Sequence, residues 1–272
     1  MLNTRTWVAA GLLIGATTLT TTAAISSQSA SNLVAHRAYY EMSMGDKVQN
    51  SHIVNISGRS AFALEHDCSG WRSIEDYIIQ FVADTGGQDR VISHFESWEA
   101  DSGDKYSFDV MEQSSFDGRK QFGGFAQLDD DRSGSAFYTQ DPQPSVDLPS
   151  DTVFPMQHVR NILDQAENGE KLIAATLFTG AEPENALMRT STVVGGWRDE
   201  AAQDLGNLAE AGYWQINVAY FNPEATTAEP EYEIQFEMQR NGLVRNYVID
   251  YGDFSINARL TEVEEVEAQT CS

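Results

Sequence analysis

Apolar and polar residues alternate through most of this chain, and that period of two predicts strands. In residues 33–44, Val34, Ala38, Tyr40, Met42 and Met44 share one parity. Short strand patterns follow at 52–57 and 60–66. Residues 71–83 are apolar on both parities, with Trp71, Tyr77, Ile79 and Phe81 on one and Ile74, Ile78 and Val82 on the other. That pattern predicts a central strand covered on both faces. Residues 91–99 and 105–112 form a hairpin pattern around the polar turn 100–104. Strands are expected next at 120–128 and 135–138, and residues 141–149, with three prolines, read as a crossing. After residue 170 the alternation returns at 172–178 and at 186–194, where Gly195-Gly196 is expected to end the strand. A closing meander covers 214–220, 232–240, 243–250 and 254–266, with turns at Asn241-Gly242 and Gly252-Asp253. The pattern gives about a dozen strands.

One segment breaks this rhythm. In residues 148–169 Met156, Val159, Ile162, Leu163 and Ala166 recur at helical spacing, which predicts a single amphipathic helix. Asp151 and Thr152 are capping types, Pro155 suits a first turn, and Gly169 suits a stop. One helix among strands must bury its apolar stripe against a sheet. The expectation is that this stripe faces the concave side of a curled sheet and largely fills it.

Composition sets the setting. Seventeen basic against 41 acidic residues give a formal charge of −24, with the acids spread along the chain. Repulsion from phosphates argues against nucleic acid and anionic membrane surfaces as partners. Residues 1–24 read as a secretory signal peptide: Arg5 is their only charge, residues 7–19 are apolar or small, and Thr22-Ala23-Ala24 offers a cleavage site. Residues 25–272 then read as a single domain without a membrane span. An exported chain with two cysteines, Cys68 and Cys271, reads as one disulfide, with two buried thiols as the alternative.

Candidate chemistry is sparse. Five histidines are present, His36, His52, His66, His94 and His158, none in a nucleophile motif. Glu65-His66-Asp67 cannot converge if it lies on a strand, where neighbouring side chains point to opposite faces. Residues 129–134, DDDRSG, match the first half of a calcium loop, but position twelve is Gln140, so a solvated acidic turn is the favoured reading. No enzymatic role, metal or cofactor is expected. His158, beside Gln157 on the helix, is placed at the border of the buried face with a structural hydrogen bond. The aromatic residues of the strands suit core packing, or an apolar trough if the sheet does not close.

Leu148-Pro149, Val153-Phe154-Pro155-Met156-Gln157-His158 and Gly169-Glu170 together resemble the central signature of the EipB family. These are periplasmic cell-envelope integrity proteins of Gram-negative bacteria. Ala35-His36-Arg37-Ala38 with Tyr40, Cys68-Ser69-Gly70-Trp71, Pro230-Glu231-Tyr232, Asn241-Gly242 and Tyr251-Gly252-Asp253-Phe254 extend the resemblance over most of the chain. It implies an open, many-stranded antiparallel β-spiral, half-barrel-like, holding one central helix. It also implies a cysteine pair at the places of Cys68 and Cys271, and it singles out Phe154, Pro155, Gln157 and His158 without naming their role. The functional expectation is a periplasmic factor that binds non-covalently. A scaffold for an envelope protein partner comes first, a carrier of lipid or lipoprotein second, and an envelope hydrolase is disfavoured.

The cysteine reading makes a direct prediction. The native, unreduced protein is expected to show no titratable thiol, and Cys68→Ser to lower stability by up to about 5 kcal/mol, the chain-entropy bound for so long a loop. Two thiols reacting in the folded protein would contradict it.

Overall fold

The computed structural model describes residues 33–49, 51–140, 143–202 and 206–267. The expected signal peptide and Cys271 lie outside these residues. Cys68 lies between two strands and is not a free thiol.

Among the described residues fifteen strands form one sheet. The first eight are β1 (His36–Lys47), β2 (Ile53–His66), β3 (Gly70–Ala83), β4 (Gln88–Ala100), β5 (Lys105–Ser114), β6 (Gly118–Leu128), β7 (Gly134–Tyr138) and β8 (Ser145–Leu148). They pair in sequence as an antiparallel meander running outward from β1 to one edge. The short β9 (Thr152–Val153) forms the opposite edge and precedes the helix α1 (Pro155–Glu167). Then β10 (Leu172–Phe178), β11 (Leu187–Arg198), β12 (Tyr213–Phe221), β13 (Tyr232–Met238), β14 (Val244–Asp250) and β15 (Phe254–Glu265) return to β1. Among the described residues only β9 pairs in parallel, with β10. Residues 149–151 are all that separate the two edge strands along the chain, so the sheet must roll until its ends approach.

The roll is a spiral in which one end tucks inside the other. The hydroxyl of Tyr106 on β5 donates to the carbonyl of Thr179 at 3.3 Å, and that of Tyr138 on β7 donates to the carbonyl of Ala181. Both acceptors belong to the β10–β11 turn. Phe154, Phe178 and Ala186 from the inner end join Tyr106, Phe108, Tyr138 and Leu148 from the outer end in one buried cluster. Gly180, at φ 76°, lies against the Phe108 ring, where a side chain would collide.

Alternation sets the inner face. Ala38, Tyr40 and Met42 of β1 lie opposite Leu260 and Ala258 of β15 and Phe62, Ser60 and Gly58 of β2. With Ile56, Ile79 and Ile256 they form a second cluster. The helix supplies a third: Ile162, Leu163 and Ala166 pack on Ile173, Val194, Trp214 and Ile216 of β10–β12.

Several expectations change. The two patterns at 52–66 are one strand, β2, because Gly58 is a point of close approach to the backbone of Ile78 rather than a break. β11 runs on through Gly195-Gly196 as an irregular register, and the proline-rich crossing contains β8. Among the described residues no second layer covers the outer face of β3, so Ile74 and Ile78 stay half-buried among cross-strand neighbours. The helix buries His158 where Val159 was expected, because it leans on the β10–β11 wall instead of standing centrally.

Leu163 is 1% exposed within that wall. Leu163→Ala is expected to cost about 2–5 kcal/mol, read as a drop in melting temperature; an unchanged melt would remove the helix from the core.

Candidate functional site

The helix is seated by residues distant in sequence. Its N-cap is Phe154, in an extended conformation, whose side chain makes no cap hydrogen bond. The capping types expected before it are used elsewhere: Asp151 accepts from the Thr176 hydroxyl at 2.6 Å, and Thr152 lies in β9. The free N–H groups of the first turn are met instead by Glu99 of β4. Its carboxylate accepts from Met156 N at 2.7 Å and from Gln157 N at 2.8 Å. An acid at a helix N-terminus satisfies orphan donors and opposes the helix dipole. Glu99 is 1% exposed. Burial pushes its carboxyl up to about 7, while the two N–H groups and the charges of Arg160 and Arg132 hold it down.

The residues marked by the resemblance build this seat. Phe154 stacks on Tyr106 at 5.2 Å and meets Phe178 edge-on at 6.3 Å. Pro155 opens the helix, where no intrahelical N–H is needed. Gln157 covers Gly103 in the β4–β5 turn, which at φ 65° leaves room for it. His158 is buried, with Nε2 3.3 Å from the Thr190 hydroxyl, and burial lowers its pKa to about 4, so it is neutral at physiological pH.

Because the helix leans to one side, the other half of the lumen stays open. A cavity of about 260 Å³ lies between the helix residues His158, Val159 and Ile162 and the inner faces of β1–β3 and β12–β14. Phe62, Val218, Ile234, Phe236, Val244 and Ile249 make it mostly apolar, and Phe62, Ile234, Phe236 and Ile249 are only half-buried. Its polar lining is Tyr40, Ser60, Tyr220, Tyr247, Glu75 and His158. A larger recess of about 650 Å³ lies over the outer face of β1–β3, around Tyr39, Glu41, Arg59 and Asp76. It is a trough between exposed charged side chains on a single-layered sheet, and the more apolar lumen is the better site.

The other candidates do not converge. Glu65 pairs with Arg37 and Arg72, His66 with Asp101, and Asp67 holds the β2–β3 turn through Ser69 and Gly70. In the acidic loop, Asp131 accepts from the backbone N–H and hydroxyl of Ser133, and Arg132, at φ 66°, donates to Gly103 O. This is the geometry of a self-bonded turn. His52 and His94 pair with Asp84 and Asp76 outside the lumen. Sequence reasoning missed Glu99 and Glu75. Glu75 left a trace: it interrupts the apolar parity of Trp71, Tyr77, Ile79 and Phe81.

The EipB-like family profile matches residues 27–267. The chain is 27% identical over 248 residues to the cell envelope integrity protein EipB of Brucella abortus (strain 2308), covering 89% of this chain and 87% of that protein. It resembles the crystal structure of a β-barrel-like protein, a domain of unknown function from Brucella abortus, with a TM-score of 0.79 and 25% identity. That match covers 87% of this chain and 99% of the other.

Glu99 generates a pH prediction. Its folded pKa lies above the ordinary carboxylate value, so between about 4.3 and 7 the folded protein holds a proton the unfolded chain has lost. Its contribution therefore declines as pH rises through that window, by roughly 4 kcal/mol at most. Comparing the wild type with Glu99→Gln removes contributions from other groups. The stability of the wild type relative to the variant is expected to fall between pH 5 and pH 8 in denaturant titrations; a difference independent of pH would contradict the assignment.

Proposed function

The chain belongs to the EipB-like family, and we propose that it serves the cell envelope by non-covalent binding, holding the apolar part of an envelope molecule in the lumen beside the helix. The observation that carries this reading is the off-centre helix. A helix that filled the curled sheet would leave only outer surfaces for recognition, and a scaffold role would be favoured. This helix leans on β10–β12 and leaves an apolar cavity walled by β1–β3 and β12–β14. Its volume of about 260 Å³ lies just below the usual range of about 300–1,000 Å³ for small-molecule sites. That suits a single chain or one large side chain better than a bulky ring system.

The envelope role rests on the relative named a cell envelope integrity protein. Export to the periplasm rests on the apolar leader at residues 1–24. No helix of the described residues is long and apolar enough to cross a membrane. The binding step involves no covalent chemistry and no cofactor.

A protein-interaction role is the second reading, and one feature favours it. Phe125 and Phe137 stack across β6 and β7 on the outer face at 5.3 Å, 52% and 45% exposed, one strand from the sheet edge at β8. An exposed aromatic pair beside an unpaired edge suits strand addition by a partner.

A slender, neutral apolar dye such as diphenylhexatriene separates the two. It is expected to bind the wild type with a rise in emission and to lose at least about tenfold in affinity in Ile234→Trp, whose ring would fill the cavity. The variant should keep its far-ultraviolet circular dichroism. Unchanged dye binding in a folded Ile234→Trp would remove the lumen as the site and leave the outer surface.

A further inference from the structure

The lumen holds a carboxylate with no partner. Glu75 of β3 faces inward, opposite Phe62 on β2 and Phe95 on β4, and it lines the open cavity, where solvent still reaches it. It makes no hydrogen bond or ion pair to any described residue, and its outward neighbour Asp76 is bonded to His94 at 2.7 Å. Several of the hydroxyls around it are already engaged. Tyr40 donates to Val244 O at 2.8 Å, Ser60 and Tyr247 share a bond of 3.0 Å, and Tyr77 donates to Glu112 at 3.3 Å. The lining contains no lysine or arginine, and its one histidine is turned to Thr190. Crowding by these rings disfavours the charged form of Glu75, and the nearby Asp76 charge adds to this.

An inward acid among apolar side chains and tyrosines, with no lysine or arginine in the lining, lacks a counter-charge. Desolvating it beneath an apolar ligand is costly unless the ligand brings a donor. A carboxylate or phosphate in the same place would meet like charge from Glu75. A neutral chain would leave the acid buried and unmatched.

We propose that the occupant of the lumen is an apolar chain bearing a protonated amine, and that Glu75 is the residue that selects it. The chain lies against Phe62, Phe236 and Ile249, and the ammonium donates to the Glu75 carboxylate. This specificity rests on the lumen being the binding site. Glu112 accepts from Tyr77 and lies outside the cavity lining, so it takes no part.

Three probes of equal length test it: octylamine, octanol and octanoate, titrated calorimetrically into the purified wild-type protein at pH 7. A charge-assisted hydrogen bond is worth about 1.5–3 kcal/mol, so the amine is expected to bind roughly 10- to 100-fold more tightly than the alcohol, and octanoate most weakly. Glu75→Gln should reduce the amine's advantage to about twofold or less, while Glu112→Gln keeps it. If the wild type binds all three equally, or prefers octanoate, the selectivity is wrong while the lumen remains a site. If none binds, the lumen reading itself fails along with it. The wild-type comparison decides the matter even if Glu75→Gln does not fold.

Discussion

A single-layered sheet of fifteen strands has only one inside, and everything in this molecule depends on what is put there. The strands alone cannot bury their inner faces, because rolling them leaves a space wider than their side chains fill. The helix Pro155–Glu167 and the β10–β11 turn supply the missing material. Ile162, Leu163 and Ala166 fill the β10–β12 side, and Phe154 with Phe178 and Ala186 fills the β5–β8 side. Glu99 fixes the junction between them, since its carboxylate ties the first turn of the helix to β4. The helix is thus a packing element whose entry point is set by a buried acid.

That arrangement is asymmetric, and the proposed function rests on the asymmetry. Filling two sides of the roll leaves the third, β1–β3 with β13–β14, lined by apolar residues that stay half-buried. A closed barrel would have tapered these faces against one another. The overlap of the inner and outer ends lets the sheet curl without closing on itself, so a compartment persists beside the helix. Its chemistry is apolar with one unanswered carboxylate, which separates it from the charged outer surface of a chain carrying 41 acidic residues.

Much of this was legible in the sequence because both signals it carries are local. Alternation placed β1, β3, β10 and β12 to within a few residues, and the helical stripe with Pro155 and Gly169 bounded the helix. Glycine misled where its reason was not local: Gly58 is required by the backbone of Ile78 across the sheet, and nothing in the neighbouring residues says so. The same limit hid Glu99, whose partners lie 57 and 58 residues away. Sequence spacing could name Phe154, Pro155, Gln157 and His158 but not their tasks, since Tyr106, Gly103 and Thr190 come from other elements. Val159 and His158 exchanged places because the pattern gives an apolar arc, whereas the wall the helix leans on sets its rotation. The Cys68–Cys271 bond remains a prediction for thiol chemistry.

The central claim is that Phe154 and the helix hold the two overlapping ends of the roll together while the open half stands on its own strand packing. Hydrogen exchange with mass spectrometry on Phe154→Ala tests it most directly. Protection is expected to fall together in the helix, in β5–β7 and in the β10–β11 turn, with β1–β3 and β13–β15 close to wild type. Uniform loss across all strands, or loss confined to the helix, would contradict the account.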